Sequence, residues 1–485
     1  MSDPGRAQIR RCFEQAMISI RTDALNQLTS YCKEMDHGSR RKYISNLIEK
    51  ICISGVDDLN LETLKDLLVA KKTQIRSGKE FEVFESPNWP NYEYDKASKA
   101  IVPKERQDLL ANDLVINSFV KDRVKYIFKN LADSQGFDDL ESLLCLKAKK
   151  TKVLLVILRD LMDRMYGQDA TGQVVLEVTE KTTFEENAYF FYGGIFVCEG
   201  DYRDGILTIK KLTLPVLKPL NEMPSIVPTD VLNRQPFDAP KNSDCIVILS
   251  DVFLDRPEVH EALNQLFMGY SEAPPAMFIL CGSFRSIYFD YSLFRDVEKD
   301  FKQLEELITR YNDVYKNTQF VLIPGPRDPP CGDRLPSIFM ETIKPIFENR
   351  PNVNLVANPS KVLFKNKVIQ AIRDDVIEKL AGETFHISEN SEIGGSYSRT
   401  IWSQRNAFPL HPKGSPINYG NVYDFIVMPD LLILADDFTA YRWKPSEDQE
   451  NQQYKIVNPG RFAQEPFKFM IYYPKDGRTE LNSIH

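Results

Sequence analysis

Three short apolar runs in the C-terminal half constrain this chain more than any other feature: Cys245-Ile246-Val247-Ile248-Leu249, Met277-Phe278-Ile279-Leu280 and Phe320-Val321-Leu322-Ile323. Each is continuous and not alternating, so each predicts a strand buried on both faces. Between them the spacing predicts amphipathic helices over 258–270 and 292–316. In the second, Phe294, Val297, Phe301, Leu304, Ile308, Tyr311 and Tyr315 share one face. Buried strands alternating with amphipathic helices make a layered α/β domain. It is expected to occupy 221–485, with further strands at 368–372, 424–428 and 431–435.

The segment before it follows a different pattern. Val153 to Leu158, Val174 to Val178, Ile195 to Cys198 and Ile206 to Ile209 are short strand signals, and Asp204-Gly205 is a strong hairpin pair. Such strands with little helix predict an OB-type β-barrel over 136–220. Lys147, Lys149, Lys150 and Lys152 precede it, but its strands offer few exposed aromatics to stack bases, so any DNA contact is expected to be weak or indirect. Residues 76–135 read as a linker or arm followed by a helix over roughly 108–131. Phe81, Phe84, Trp89, Tyr92 and Tyr94 among Pro87, Pro90 and Pro103 suggest docked segments in place of a Gly/Ser spacer.

Residues 1–75 predict a bundle of four short helices. Ile9, Phe13, Met17 and Ile20 form one stripe, and Leu25, Leu28, Cys32 and Met35 a second; Ser39 caps a third helix and Asn60 a fourth. Arg10, Arg11, Arg40, Arg41 and Lys42 are candidates for a docking face on this bundle.

Composition closes several routes. With 61 Lys and Arg against 69 Asp and Glu, the net charge of −8 argues against a wholly basic nucleic-acid footprint. The cysteines are widely spaced with no CxxC pair, which disfavours structural zinc or a redox motif. No apolar run is long enough for a membrane span, so the chain is expected to be soluble, intracellular and without membrane contact. No phosphate loop, GxGxxG turn, HExxH or GxSxG appears. Gly193-Gly194 and Gly394-Gly395 read as turns, and His260 and His386 as structural histidines.

Four predicted strands end in small or acidic clusters: Ser250-Asp251-Val252-Phe253, Cys281-Gly282-Ser283, Pro324-Gly325-Pro326-Arg327-Asp328 and Ala435-Asp436-Asp437. Carboxyl ends of strands are where open α/β sheets bind ligands. The order resembles the calcineurin-like metallophosphoesterases, whose motifs are D-x-H, G-D, G-N-H-D/E, an isolated histidine and G-H-x-H. Here Phe253 replaces the first histidine, Ser283 the bridging carboxylate, and Pro326-Arg327 the asparagine and histidine. None of the five histidines falls in these motifs. Asp251, Asp328 and Asp436 remain as possible cation ligands, against the plainer reading that they cap turns or pair with Arg327.

A barrel followed by such a domain without its metal ligands resembles the B subunits of eukaryotic replicative DNA polymerases, in particular the epsilon branch. Ile248-Leu249-Ser250-Asp251-Val252-Phe253-Leu254-Asp255, Gly269-Tyr270-Ser271-Glu272-Ala273-Pro274-Pro275, Pro429-Asp430-Leu431-Leu432-Ile433-Leu434-Ala435-Asp436 and Asn458-Pro459-Gly460 carry it, in collinear order. The resemblance implies a multidomain α/β chain: an N-terminal helical bundle like the lid of AAA+ ATPases, an OB-type β-barrel and a calcineurin-like phosphoesterase α/β sandwich. It further implies a nuclear, non-catalytic subunit with no cofactor. The expected partners are the cysteine-rich C-terminal region of the polymerase catalytic subunit and, through residues 1–75, the replicative helicase. The competing readings are a divergent metal-dependent phosphoesterase or nuclease, and a B subunit of the delta or alpha polymerase.

Overall fold

The chain divides into two units, Met1–Lys79 and Glu80–His485. The computed structural model describes residues 9, 11–13, 19–31, 58–59, 81–85, 91–95, 100–104, 113–132, 140–147, 150–160, 162–218, 239–329, 337–387, 392–409, 429–445, 453–464 and 466–484.

In the first unit, helix α1 (Thr22–Tyr31) carries Asp23 in its first turn, where a carboxylate complements the helix dipole. It buries Ala24, Leu25 and Leu28. Ser19–Ile20 pairs in parallel with Asp58–Leu59. Ile20 therefore belongs to a short ladder and not to a helical stripe, in keeping with the extended preference of the β-branched Ile18 and Ile20 that flank Ser19. The third and fourth expected helices, and with them Arg10, Arg40, Arg41 and Lys42, lie outside the described residues; Arg11 is exposed.

The second unit opens with β1 (Phe81–Glu85), the hairpin β2 (Asn91–Asp95) and β3 (Ala100–Lys104), and α2 (Asp113–Lys129). Then come β4 (Lys150–Arg159), β5 (Met165–Gln168), β6 (Gln173–Phe184), β7 (Tyr189–Phe191), β8 (Ile195–Arg203) and β9 (Ile206–Thr213). All but β7 close a five-stranded barrel in the order β8-β9-β6-β5-β4. Asp204 (φ +51°) and Gly205 (φ +83°) make the β8–β9 turn, the backbone that an Asp-Gly pair adopts most readily. β4 is apolar from Val153 to Leu158 because both of its faces are covered there. Val153, Leu155 and Ile157 belong to one core with Leu176, Leu207 and Ile209. Leu154, Val156 and Leu158 pack with Val120, Val124 and Ile127 of α2.

The chain continues through β10 (Ile246–Ser250), α3 (Pro257–Gly269), β11 (Met277–Cys281), α4 (Phe294–Arg310), β12 (Gln319–Ile323), β13 (Val353–Leu355), β14 (Ser360–Phe364) and β15 (Lys367–Arg373). It ends with α5 (Val376–Glu383), β16 (Thr384–Ile387), α6 (Ile393–Gln404), β17 (Leu431–Ala435), β18 (Tyr441–Trp443), β19 (Ile456–Asn458), β20 (Lys468–Tyr473) and β21 (Arg478–Ser483). Two six-stranded sheets result, in the orders β13-β12-β11-β10-β20-β21 and β18-β19-β17-β15-β14-β1. The second takes its edge strand β1 from the aromatic arm, which pairs antiparallel with β14. The expected strand at 424–428 lies outside the described residues.

The continuous apolar strands are explained by layering. Ile246, Ile248, Ile279, Val321 and Ile323 of the first sheet share a core with Val362, Ile369, Leu431, Ile433 and Val457 of the second. Their alternate residues Val247, Leu249, Phe278 and Leu322 meet Leu263 and Phe267 of α3 and Phe301 and Leu304 of α4. On the far side of the second sheet, Ile372, Leu432 and Leu434 pack in one cluster with Leu380 of α5, Tyr397 and Ile401 of α6, and barrel residues. Barrel and sandwich are stitched further where Ile195 N–H donates to Gln404 Oε1 (2.7 Å) and Gln404 Nε2 donates to Ile195 O (2.8 Å).

Gly394-Gly395 is not a turn but the first turn of α6. A Cβ at Gly394 would lie 2.6 Å from Cγ of Tyr441, so the helix approaches β18 only because that atom is missing. Alanine in place of glycine favours a helix by ~1 kcal/mol, whereas overpacking costs ~1–3 kcal/mol. Gly394→Ala is therefore expected to lower the urea midpoint, despite the better helix former.

Candidate functional site

The four clusters meet at the carboxyl ends of the central strands. Asp251 follows β10 with φ +55°, a left-handed conformation in which aspartate is several-fold enriched. Its Oδ1 accepts from the Ser283 backbone N–H at 3.0 Å. A Cβ on Gly282 would fall 2.1 Å from Asp328 Oδ2 and 2.6 Å from the Gly325 nitrogen, so the second and third motif turns touch through this glycine. Asp328 is buried; its Oδ1 accepts from Phe284 N–H and its Oδ2 from Gly325 N–H, both at 2.7 Å. Asp436, also buried, accepts from Ile377 N–H at 2.9 Å.

The centre of this arrangement is Arg373, the last residue of β15, which no sequence motif marks. It is fully buried. Its Nη2 donates to Asp251 Oδ1 at 2.7 Å, Nε to Gly282 O at 2.6 Å and Nη1 to Asp375 Oδ1 at 2.6 Å. Burial alone would lower its pKa, but Asp251 and Asp375 outweigh that and hold it raised. Arg461 Nε stands 3.6 Å from Asp251 Oδ2, and its Nη2 pairs with Asp437.

Arg327, expected among the acids, lies instead on the rim. Its guanidinium covers Phe253 (5.8 Å) and Tyr288 (5.4 Å), and only a 3.9 Å approach links it to Asp437. Ser283 Oγ accepts from its backbone N–H at 3.3 Å. Pro326 fills its position in the turn with no side-chain donor, and Phe253 is buried.

The donors do not suit a divalent metal pair. Asp251 is engaged by arginine, both oxygens of Asp328 by backbone amides, and Asp437 by Arg461. No group of three His, Cys, Asp or Glu side chains among the described residues is arranged to hold a metal ion. His260 Nε2 lies 2.9 Å from Leu254 O, and His386 stacks on Phe184 at 3.7 Å; both serve packing. The strand that carries Arg373 gave no motif signal, and the only available clue was an arginine ending a predicted buried strand.

Removing one partner of a buried ion pair costs ~3–5 kcal/mol because the other charge is left stranded. Arg373→Met is expected to lose stability on that scale in urea melts. Adding Asp251→Asn, which removes the stranded charge, is expected to recover part of the loss. Burial pushes Asp436 up to about 7 from an ordinary 3.8, outweighing its amide hydrogen bond. Between those values the folded state holds a proton that the unfolded chain has released, so stability falls as pH rises. Between about pH 5 and about pH 8, the wild-type melting temperature should therefore drop more than that of Asp436→Asn.

A family model for the B subunits of DNA polymerases alpha and epsilon matches residues 246–442. A second, described as DNA polymerase epsilon subunit 2-like, OB-fold domain, matches 97–216 and so includes the barrel. A nematode (Caenorhabditis elegans) protein named probable DNA polymerase epsilon subunit 2 is 25% identical, with 99% of this chain aligned to 94% of the relative. The human DNA polymerase epsilon subunit 2 is 29% identical over 66% of this chain and 63% of its own length. The Drosophila melanogaster counterpart is 28% identical over 71% and 67%. A solved Thermus thermophilus structure overlaps 51% of this chain at 11% identity and a TM-score of 0.28, too loosely to bear on the fold. Over residues 97–216 and 246–442 the chain is thus similar to the B subunits of DNA polymerases alpha and epsilon.

Proposed function

We propose that this chain is the non-catalytic B subunit of a nuclear DNA polymerase epsilon, holding the cysteine-rich C-terminal region of the catalytic subunit and linking it to the replicative helicase. The observation that carries the non-catalytic reading is Arg373. Its fixed positive charge lies on Asp251, the aspartate of the first motif, and leaves no carboxylate pair to bind metals and activate water. Asp251, Phe253, Gly282, Ser283, Gly325, Pro326, Arg327, Asp328, Asp436 and Asp437 are then read as remnants of a phosphoesterase site retained for structure.

Direct DNA binding stays secondary in this reading. Lys152 pairs with Glu199 at 3.7 Å, and Lys210 pairs with Asp201. The exposed large apolar side chains of the described barrel are Met162, Val175, Val178 and Ile206, none of them aromatic. No fully exposed aromatic ring of the described barrel is therefore offered for bases to stack on. The helicase is assigned to residues 1–75, with Arg10, Arg11, Arg40, Arg41 and Lys42 as its basic face.

Co-purification of the full chain with the C-terminal regions of the epsilon, delta and alpha catalytic subunits tests the assignment. Preference for epsilon is expected; preference for delta or alpha overturns it. Removing residues 1–75 should leave that association intact and loosen the helicase. Manganese-dependent phosphodiester hydrolysis that disappears in Asp251→Ala would sink the non-catalytic reading.

A further inference from the structure

The loop after β11 carries an apolar surface that the emptied site does not use. Ile287 is 49% exposed, Tyr288 64% and Tyr291 89%, three large side chains within five residues. The loop is nonetheless fixed. Asp255 accepts from Ser286 N–H (2.9 Å) and Ser286 Oγ (2.6 Å), Arg327 Nη1 donates to Ser286 O (2.9 Å), and Phe289 N–H donates to Arg327 O (3.2 Å). Asp290 closes the following turn by accepting from Ser292 N–H at 2.9 Å. Rigid exposed aromatics bind with little entropy left to lose, which is why they dominate interface anchors.

The charge beside these aromatics is positive. Arg256 lies against the Phe253 ring at 5.1 Å and makes no ion pair among the described residues. Arg327 covers Phe253 and Tyr288, and its acid, Asp437, is held more closely by Arg461. Two under-neutralised guanidinium groups thus adjoin an apolar shelf. Glu258, Asp290 and Asp296 are exposed close by in the chain, as is Arg295. A nucleic acid would bring a phosphate at every nucleotide toward these three carboxylates, whereas a polypeptide can set a carboxylate against the arginines alone.

We propose that Arg256, Arg327, Tyr288, Tyr291 and Ile287 form a docking surface for a protein segment that pairs one or two carboxylates with an aromatic or aliphatic anchor.

A phage-displayed peptide library panned on the full chain tests this, followed by titration of the enriched peptides and of an oligo-dT probe. Expected are sequences joining Asp or Glu to Phe, Tyr or Leu, with affinity falling at least tenfold in both Arg256→Ser and Tyr291→Ser while the melting temperature holds. Arg256 is half-buried, so the Tyr291 variant, altered at a nearly fully exposed position, keeps the test decisive if the other is destabilised. Enrichment without acidic residues, no enrichment, binding indifferent to Tyr291→Ser, oligo-dT binding tighter than any peptide, or self-association sensitive to the same substitutions would each overturn the proposal.

Discussion

The buried contact between Arg373 and Asp251 organises the end of the molecule where the strands stop. Arg373 leaves the second sheet, while Asp251 and Gly282 follow adjacent strands of the first. One guanidinium therefore bridges the two sheets at their carboxyl ends. Desolvating an arginine is costly, and only full satisfaction of its donors offsets it. The contacts to Asp251, Gly282 O and Asp375 do this, so the surrounding turns are held in position by the need to keep that cation paired.

Around this clamp the other carboxylates at the strand ends are tied to backbone amides. Asp328 spends both oxygens on backbone amides, and Asp436 Oδ2 accepts from the Ile377 N–H. Burial pushes both up to about 7. Carboxylates in this condition serve the loops. Behind them, barrel and sandwich are joined through one continuous core.

Much of this was legible in the residues. Continuous apolar runs announced doubly covered strands, and Leu431–Ala435 emerged with the expected limits, because buried strands leave no room for polar residues. Asp204-Gly205 marked its hairpin through its own backbone preference. What escaped depended on distant partners. Arg373 has no local signature that points to the site, since Asp251, the acid it meets there, lies 122 residues away in the chain. Gly394-Gly395 resembled a turn because the ring of Tyr441, which demands the missing side chain, approaches from another strand. Arg327 was expected beside the acids on sequence order alone, and the turn aims it outward at two rings instead.

The edge strand β1 has a mechanical consequence. It begins within two residues of the boundary between Met1–Lys79 and Glu80–His485, and it is held by a five-residue ladder to β14. Phe81 and Val83 also pack against the core shared by the two sheets, so a pull along the chain from Lys79 loads that core as well as the five ladder pairs.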